Sequence, residues 1–290
     1  MKNIDIIGAC SDYGIHIDGT SLGPEILEQY INKNNINIIK NIKTENIKKE
    51  LEKNNNKKNL NIINSFNQEL YKETISSLYN NMLPFILGGD HSAAIASALA
   101  SIKKYNNLGI IWFDAHGDYH TFKTTPSGNI HGLPFAAVTN YEKTLLSTFH
   151  NGNFYNPKNS VLVGGRDIDK PDEIKNLQDA GVTIFSTEDI RKFGAENIYK
   201  KAFEIASSGT NGIHISYDLD VIDPNIVPGV SVPAKDGINL KEAYLFVDFM
   251  IKNKEKIKSM DLVEFNPLKD SNKKSEKIAT YIINTLLDNF

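Results

Sequence analysis

Apolar runs of strand length alternate with longer helical patterns from one end of the chain to the other, and no other feature restricts its fold so tightly. The runs begin near Ile4 (IDIIGA), Ile36 (INIIK), Pro84 (PFILGG), Leu108 (LGIIWFDA), Val161 (VLVGG), Val182 (VTIFS), Gly212 (GIHISYD) and Ile257 (IKSMDLVEF). Helical patterns fall at 68–81, 92–104, 171–180, 195–208, 240–252 and 273–288. Several strand runs are apolar throughout rather than alternating. That is the pattern of strands covered by helices on both faces, hence of a parallel sheet. The alternation reads as α/β, and the uneven spacing of the runs favours an open sheet over a barrel. No linker rich in Pro or Ser and no repeat breaks the pattern, so residues 1–290 are expected to form a single domain.

Composition narrows the function. The 290 residues carry 32 Lys+Arg against 35 Asp+Glu, a formal net charge of −3, so the basic excess of a nucleic-acid binder is missing. No apolar run approaches the roughly 18 residues of a membrane span. Met1-Lys2-Asn3-Ile4-Asp5 places an acid where a secretory signal would be apolar. The one cysteine, Cys10, cannot form an internal disulfide, which makes a reducing cytoplasm the expected compartment. The Asn- and Lys-rich stretch 31–64 has Glu and Asn interspersed with its lysines, and reads as a solvated surface helix and loop.

Polar residues concentrate at the C-terminal ends of the apolar runs, where open α/β sheets bind ligands. The clusters are Gly88-Gly89-Asp90-His91-Ser92, Asp114-Ala115-His116-Gly117-Asp118, Asp218-Leu219-Asp220 with Asp223-Pro224, and Glu264 within Val263-Glu264-Phe265-Asn266-Pro267. In Asp114-x-His116-x-Asp118 the side chains are two residues apart, so on extended backbone all point one way. Asp218-x-Asp220 repeats the arrangement, and His91 is available from a third strand end. Four clustered carboxylates without counter-charge would be very costly. Two divalent cations balance them, and carboxylates with imidazoles and no thiolate suit Mn²⁺, with Zn²⁺, Fe²⁺ or Co²⁺ as alternatives. Asp223-Pro224 reads as a turn former, His214 as a satisfied core residue, and His16 and His150 carry no signal.

GGDHS, DAHGD, SYDLDVIDP and VEFNP, in this order, resemble the signatures of the ureohydrolases: arginase, agmatinase, formimidoylglutamase and relatives. The resemblance runs from about Gly88 to Pro267, and Gly19-x-x-x-Gly23-Pro24 is similar to the family's N-terminal segment. It implies an arginase-like three-layer α/β sandwich with an eight-stranded parallel sheet, a dinuclear manganese centre and a homo-oligomer, trimer or hexamer. By that resemblance His91, Asp114, Asp118 and Asp218 surround one manganese, and Asp114, His116, Asp218 and Asp220 the other. A hydroxide held between the metals would attack the guanidinium carbon. Asp118 would pass its proton to the departing amine, and Glu264 would pair with the guanidinium.

Ser127-Gly128-Asn129-Ile130-His131-Gly132 is similar to the arginase substrate loop, in which Ser and Asn contact an α-carboxylate and the His transfers protons. Gly165-Arg166-Asp167-Ile168-Asp169 resembles the arginase segment whose acids help bind the α-amino group. Together these imply a free guanidino amino acid as substrate and arginase as the activity. Two positions depart from the arginase pattern. His120 stands where arginases usually have Asn, and Val232, in Gly229-Val230-Ser231-Val232-Pro233, replaces a threonine near the guanidinium. The second segment looks closer to formimidoylglutamases, which, with agmatinase, are the alternative enzymes. A metal-binding oligomer subunit without catalysis is the alternative of another class.

Overall fold

The computed structural model describes residues 3–32, 36–44, 49, 57–141 and 145–290. The apolar runs become β1 (Ile4–Cys10), β2 (Ile36–Lys43), β3 (Leu83–Gly88), β4 (Gly109–Phe113), β5 (Ser160–Gly165), β6 (Thr183–Ser186), β7 (Ile213–Asp218) and β8 (Ile257–Val263). They form one sheet in the order β2-β1-β3-β8-β7-β4-β5-β6, with every pairing parallel. The open α/β fold expected from the sequence is therefore the fold observed.

Helices cover both faces because successive residues of the strands bury in opposite directions. In β4, Ile111 and Phe113 enter one core, while Ile110 and Trp112 enter the other. The first core takes in α1 (Gly23–Glu28), with α6 (Thr187–Phe193), α7 (Ala195–Ser207), α8 (Leu240–Lys252) and α9 (Lys274–Asn289). The opposite face packs against α2 (Leu60–Tyr79), α3 (Ala94–Tyr105), α4 (Pro134–Val138) and α5 (Asp172–Ala180). Within the first core, Phe113 and Phe246 stack at 3.9 Å between ring centroids. Burying aromatic area on this scale supplies much of the driving force for closing the layers.

Two differences from the sequence reading have simple causes. Helix α2 starts at Leu60 rather than near 68, because Ile63 and Phe66 turn inward from an otherwise Asn-rich turn. The short helices α1, α4 and α6 were not anticipated; at six, five and seven residues they are too brief to display a helical period. No described helix is long and apolar enough to cross a membrane.

Candidate metal centre

The central strands β3, β8, β7 and β4 are neighbours, and the polar clusters extend from their C-terminal ends. Each has a local reason to leave the strand there. Asp90 caps the turn 91–93 by accepting from Ser92 N at 2.9 Å, which points His91 inward. Its other oxygen accepts from Gly14 N at 2.9 Å, and a Cβ on Gly14 would lie 2.2 Å from the Asp90 carboxylate. Only glycine permits that approach. Asp218 caps its own turn through Asp220 N at 2.8 Å, and Asp114 accepts from His116 N at 2.7 Å.

These caps bring the carboxylates and imidazoles together. His91 Nδ1 lies 3.1 Å from Asp114 Oδ2, 3.0 Å from Asp118 Oδ2 and 3.0 Å from Asp218 Oδ2. His116 Nδ1 lies 3.1 Å from Asp220 Oδ2 and 3.5 Å from Asp114 Oδ1. Two groups that could hold a metal ion result, His91–Asp114–Asp218 and Asp114–His116–Asp220, with Asp114 in both. The donor set fits divalent cations. Among the described residues His116 Nε2 and Glu264 Oε2 are buried without hydrogen-bond partners, and His91 Nδ1 and Asp118 Oδ2 face one another at 3.0 Å without making one, a costly state for atoms that have nothing to bind. Carboxylate oxygens and imidazole nitrogens without thiolate are the ligands of hard or borderline ions.

Electrostatics gives the same picture. Burial raises the Asp218 pKa well above the usual carboxyl range, and Asp220 and Asp114 add to it. Burial likewise raises Asp118, with Asp114 adding to the shift. For His91 burial opposes the charge, but Asp118, Asp114 and Asp218 outweigh it and raise the pKa. The cluster thus needs positive charge, which protons supply when metal does not. Trp112 steadies it, stacking on His91 at 4.2 Å and donating from Nε1 to Asp114 Oδ2 at 2.9 Å.

Of the remaining sequence-identified residues, Glu264, His131 and Asp167 reach this cluster, and the others contact one another. Glu264 Oε1 accepts from His91 N at 2.9 Å and faces His131 Nδ1 at 3.3 Å. His120 Nε2 meets Asp169 Oδ2 at 3.0 Å. Asp167 approaches His116 Nε2 at 3.8 Å, with its own side chain largely exposed. Asn129 is buried, and its backbone N donates to Ser127 Oγ at 3.2 Å. His214 is a core residue, bonded to Ser259 and Asp261, and Asp223 closes a turn through Asn225 N and Gly237 N, as read from sequence.

Four residues were missed or misread. Glu173 is buried beside His120 and accepts from Tyr119 N and Asp169 N; its position in the first turn of α5 was the available signal. Arg166 donates to the carbonyls of Asp220, Val221, Ala234 and Lys235, and so fixes the Asp220 loop. His16, read as carrying no signal, accepts from Asn129 Nδ2 at 2.9 Å. Lys58, read as part of a solvated stretch, is only 7 % exposed. Residues 33–35, 45–48 and 50–56 of that stretch lie outside the described residues.

A family model described as the arginase family matches residues 2–288. The chain belongs to the arginase family. It is 36% identical over 299 residues to the arginase of Staphylococcus aureus, covering 98% of this chain and 96% of that protein. The crystal structure of arginase from Bacillus subtilis superposes with a TM-score of 0.87 at 31% identity, covering 99% and 98% of the two chains. That of Entamoeba histolytica arginase, in complex with L-ornithine, gives 0.89 at 31% identity, covering 98% and 97%. The chain is therefore an arginase-like ureohydrolase of a metal-dependent family that acts on small guanidino compounds.

Proposed function

We propose that this chain is a manganese-dependent arginase that hydrolyses L-arginine to L-ornithine and urea. The whole of residues 1–290 would work as one ureohydrolase domain, holding two Mn²⁺ and assembling as a cytoplasmic trimer or hexamer. The reading is supported by one observation: the loop that carries the Ser127 hydroxyl and Asn129 amide runs on to His131 at Glu264, and the acids Asp169 and Glu173 meet His120 and the backbone just after Asp118. Neutral donors suit a carboxylate and acids suit an ammonium. A free α-amino acid presents both.

In this reading His91, Asp114, His116, Asp118, Asp218 and Asp220 would hold the metal. Bound metal supplies the acidity that lowers the pKa of water and so provides hydroxide for attack on the guanidinium carbon. Glu264 Oε2, buried without a partner among the described residues, accepts from the guanidinium N–H groups and sets the carbon's orientation. Asp118 would take up the released proton and return it to the leaving amine. His131, whose pKa burial lowers but Glu264 more than restores, ends above its ordinary value, and carries protons between the cleft and solvent. His120, Ser127, Asn129, Asp167 and Asp169 hold the amino-acid end.

The test is product identification by mass spectrometry after incubating Mn-loaded protein with L-arginine, agmatine, guanidinobutyrate and N-formimino-L-glutamate. Urea and ornithine from L-arginine are expected. Urea from agmatine with none from arginine would overturn the substrate assignment, and formamide from the formimino compound would make the protein a formimidoylglutamase.

A further inference from the structure

Lys58 is buried, with no carboxylate against it among the described residues. Its Nζ donates to the Ser127 carbonyl. Lys49 nearby is different, since Asp12 and Asp18 neutralise it at 2.8 and 2.7 Å. Among the described residues Lys58 has one hydrogen bond for three N–H donors and no counter-charge, and it lies against the turn that carries Ser127 and Asn129.

His16 reaches the same turn from the loop after β1. Gly14 O in that loop accepts from His131 N at 3.1 Å, which ties the loop to the cleft. Asn129 Nδ2 donates to His16 Nδ1. The accepting nitrogen carries no proton, so Nε2–H is the donor of the neutral ring, and it has no partner among the described residues. Burial, with His131, Lys58, Lys269 and Lys49 around it, lowers the His16 pKa and favours that neutral form. The Ser127 hydroxyl, accepting from Asn129 N, keeps its own proton to donate.

We infer that Lys58 and His16 are specificity-determining residues that hold the α-carboxylate of an amino-acid substrate, one by charge and the other through Nε2–H. This builds on the arginase reading above. Lys58 would supply the counter-charge that neutral Ser127 and Asn129 lack. Hydrogen bonds to a charged group are worth about twice neutral ones, so these two residues set the preference for substrates that carry a carboxylate over decarboxylated analogues. On the far side His120, Asp169 and Glu173 face the ammonium, which both kinds of ligand share with the substrate.

The experiment compares Mn-loaded wild type with Lys58→Met, Lys58→Arg and His16→Ala. Calorimetry measures affinity for L-ornithine and for putrescine, its decarboxylated counterpart; steady-state assays measure kcat/KM for L-arginine and agmatine. The preference for ornithine over putrescine should fall about tenfold in Lys58→Met and His16→Ala, and stay within about threefold of wild type in Lys58→Arg. A purely structural role for Lys58 would weaken both ligands equally, and that outcome, or an unchanged preference, overturns the inference. If Lys58→Met does not fold, His16→Ala at its exposed position decides. The arginase reading fails separately: absence of urea from L-arginine sinks it, while an ornithine preference that collapses in the variants still supports the clamp. A wild type with no preference for ornithine sinks the clamp.

Discussion

Asp118 and Glu264 have backbone φ of 48° and 66°, a left-handed conformation that costs an L side chain about 1–3 kcal/mol. Asp118 is held there by Phe135 N and Ala136 N, which donate to its carbonyl at 3.0 and 3.2 Å, and Glu264 by its own N–H on Gly89 O at 2.8 Å. Strain at both residues aims their carboxylates into the cluster. Asp118→Asn keeps the shape and removes the charge. It should weaken metal retention, read by elemental analysis after dialysis, and abolish urea release while circular dichroism stays native; equal activity would remove Asp118 from the chemistry. Glu173 offers a test by pH. Burial pushes its carboxyl up from 4.5 to about 7, although His120 and the N–H groups of Tyr119 and Asp169 pull the other way. A raised acid favours its neutral form in the folded state. Its destabilising effect is absent below pH 4.5, grows as pH rises and is complete above about 7, with an upper bound of about 3 kcal/mol. In Glu173→Gln that slope should vanish. The unfolding free energy of the variant minus that of wild type should therefore rise between those pH values in urea titrations, and a flat difference would refute the assignment. The residues of the His/Asp cluster were legible because their types and close spacing stand out at the ends of apolar runs; that turns rather than extended backbone gather them was not, since β4 ends at Phe113, Asp118 is left-handed and Asp218 caps a turn. The contacts of Glu173, His16 and Lys58 were not legible, because they are made to neighbours distant along the chain.

Strands β7 and β8 show what a sheet face can do besides bury hydrocarbon. Ile213, Ile215 and Tyr217 enter the apolar core, whereas His214 and Ser216 point to the opposite face with Ser259 and Asp261 of β8. There they meet Ser97 and Ser101 of α3. Ser216 gives its proton to Asp261 Oδ1, so its oxygen accepts from His91 Nε2–H at 2.9 Å, leaving His91 Nδ1 free for metal. His214 Nε2 and Ser97 Oγ occupy the other carboxylate oxygen at 3.0 and 2.7 Å. Burial raises the Asp261 pKa, but His214 and then His91 outweigh it and keep the carboxyl ionised. Asp261→Asn should therefore lower Mn²⁺ affinity by about ten- to a hundredfold, measured by competition with a chelating dye. Unchanged affinity would make the network purely structural. Sequence reading identified these strands because apolar residues fill at least one face of each, and it identified His214 as satisfied. The order of strands was not legible. Pairing β3 with β8 joins segments far apart in the chain, and no local pattern encodes that choice.

At the scale of the molecule, the parallel sheet places four strand ends side by side and so creates the carboxylate cluster. Without metal the cluster opposes folding. Asp218, Asp118 and Asp220 have raised pKa values, burial being the largest cause of each, so their ionisation above the ordinary carboxyl range takes stability from the metal-free protein as pH rises. His91 and His116 act in the same direction: burial opposes their charge, nearby aspartates more than compensate, and both pKa values are raised. Their contribution is complete below the ordinary imidazole range and is lost as pH climbs through the raised values. Metal replaces protons as the counter-charge and binds only the folded arrangement, with less competition from protons at higher pH. Manganese at a hundred times its dissociation constant should stabilise the fold by about 2.7 kcal/mol, which raises the unfolding temperature on the order of 5 °C for a chain of this size. Scanning calorimetry with and without chelator should show that gap at pH 8 and a smaller one at pH 5.5. Coincident transitions at both pH values would mean that the cluster carries its charge without metal, and the proposed chemistry would lose its basis.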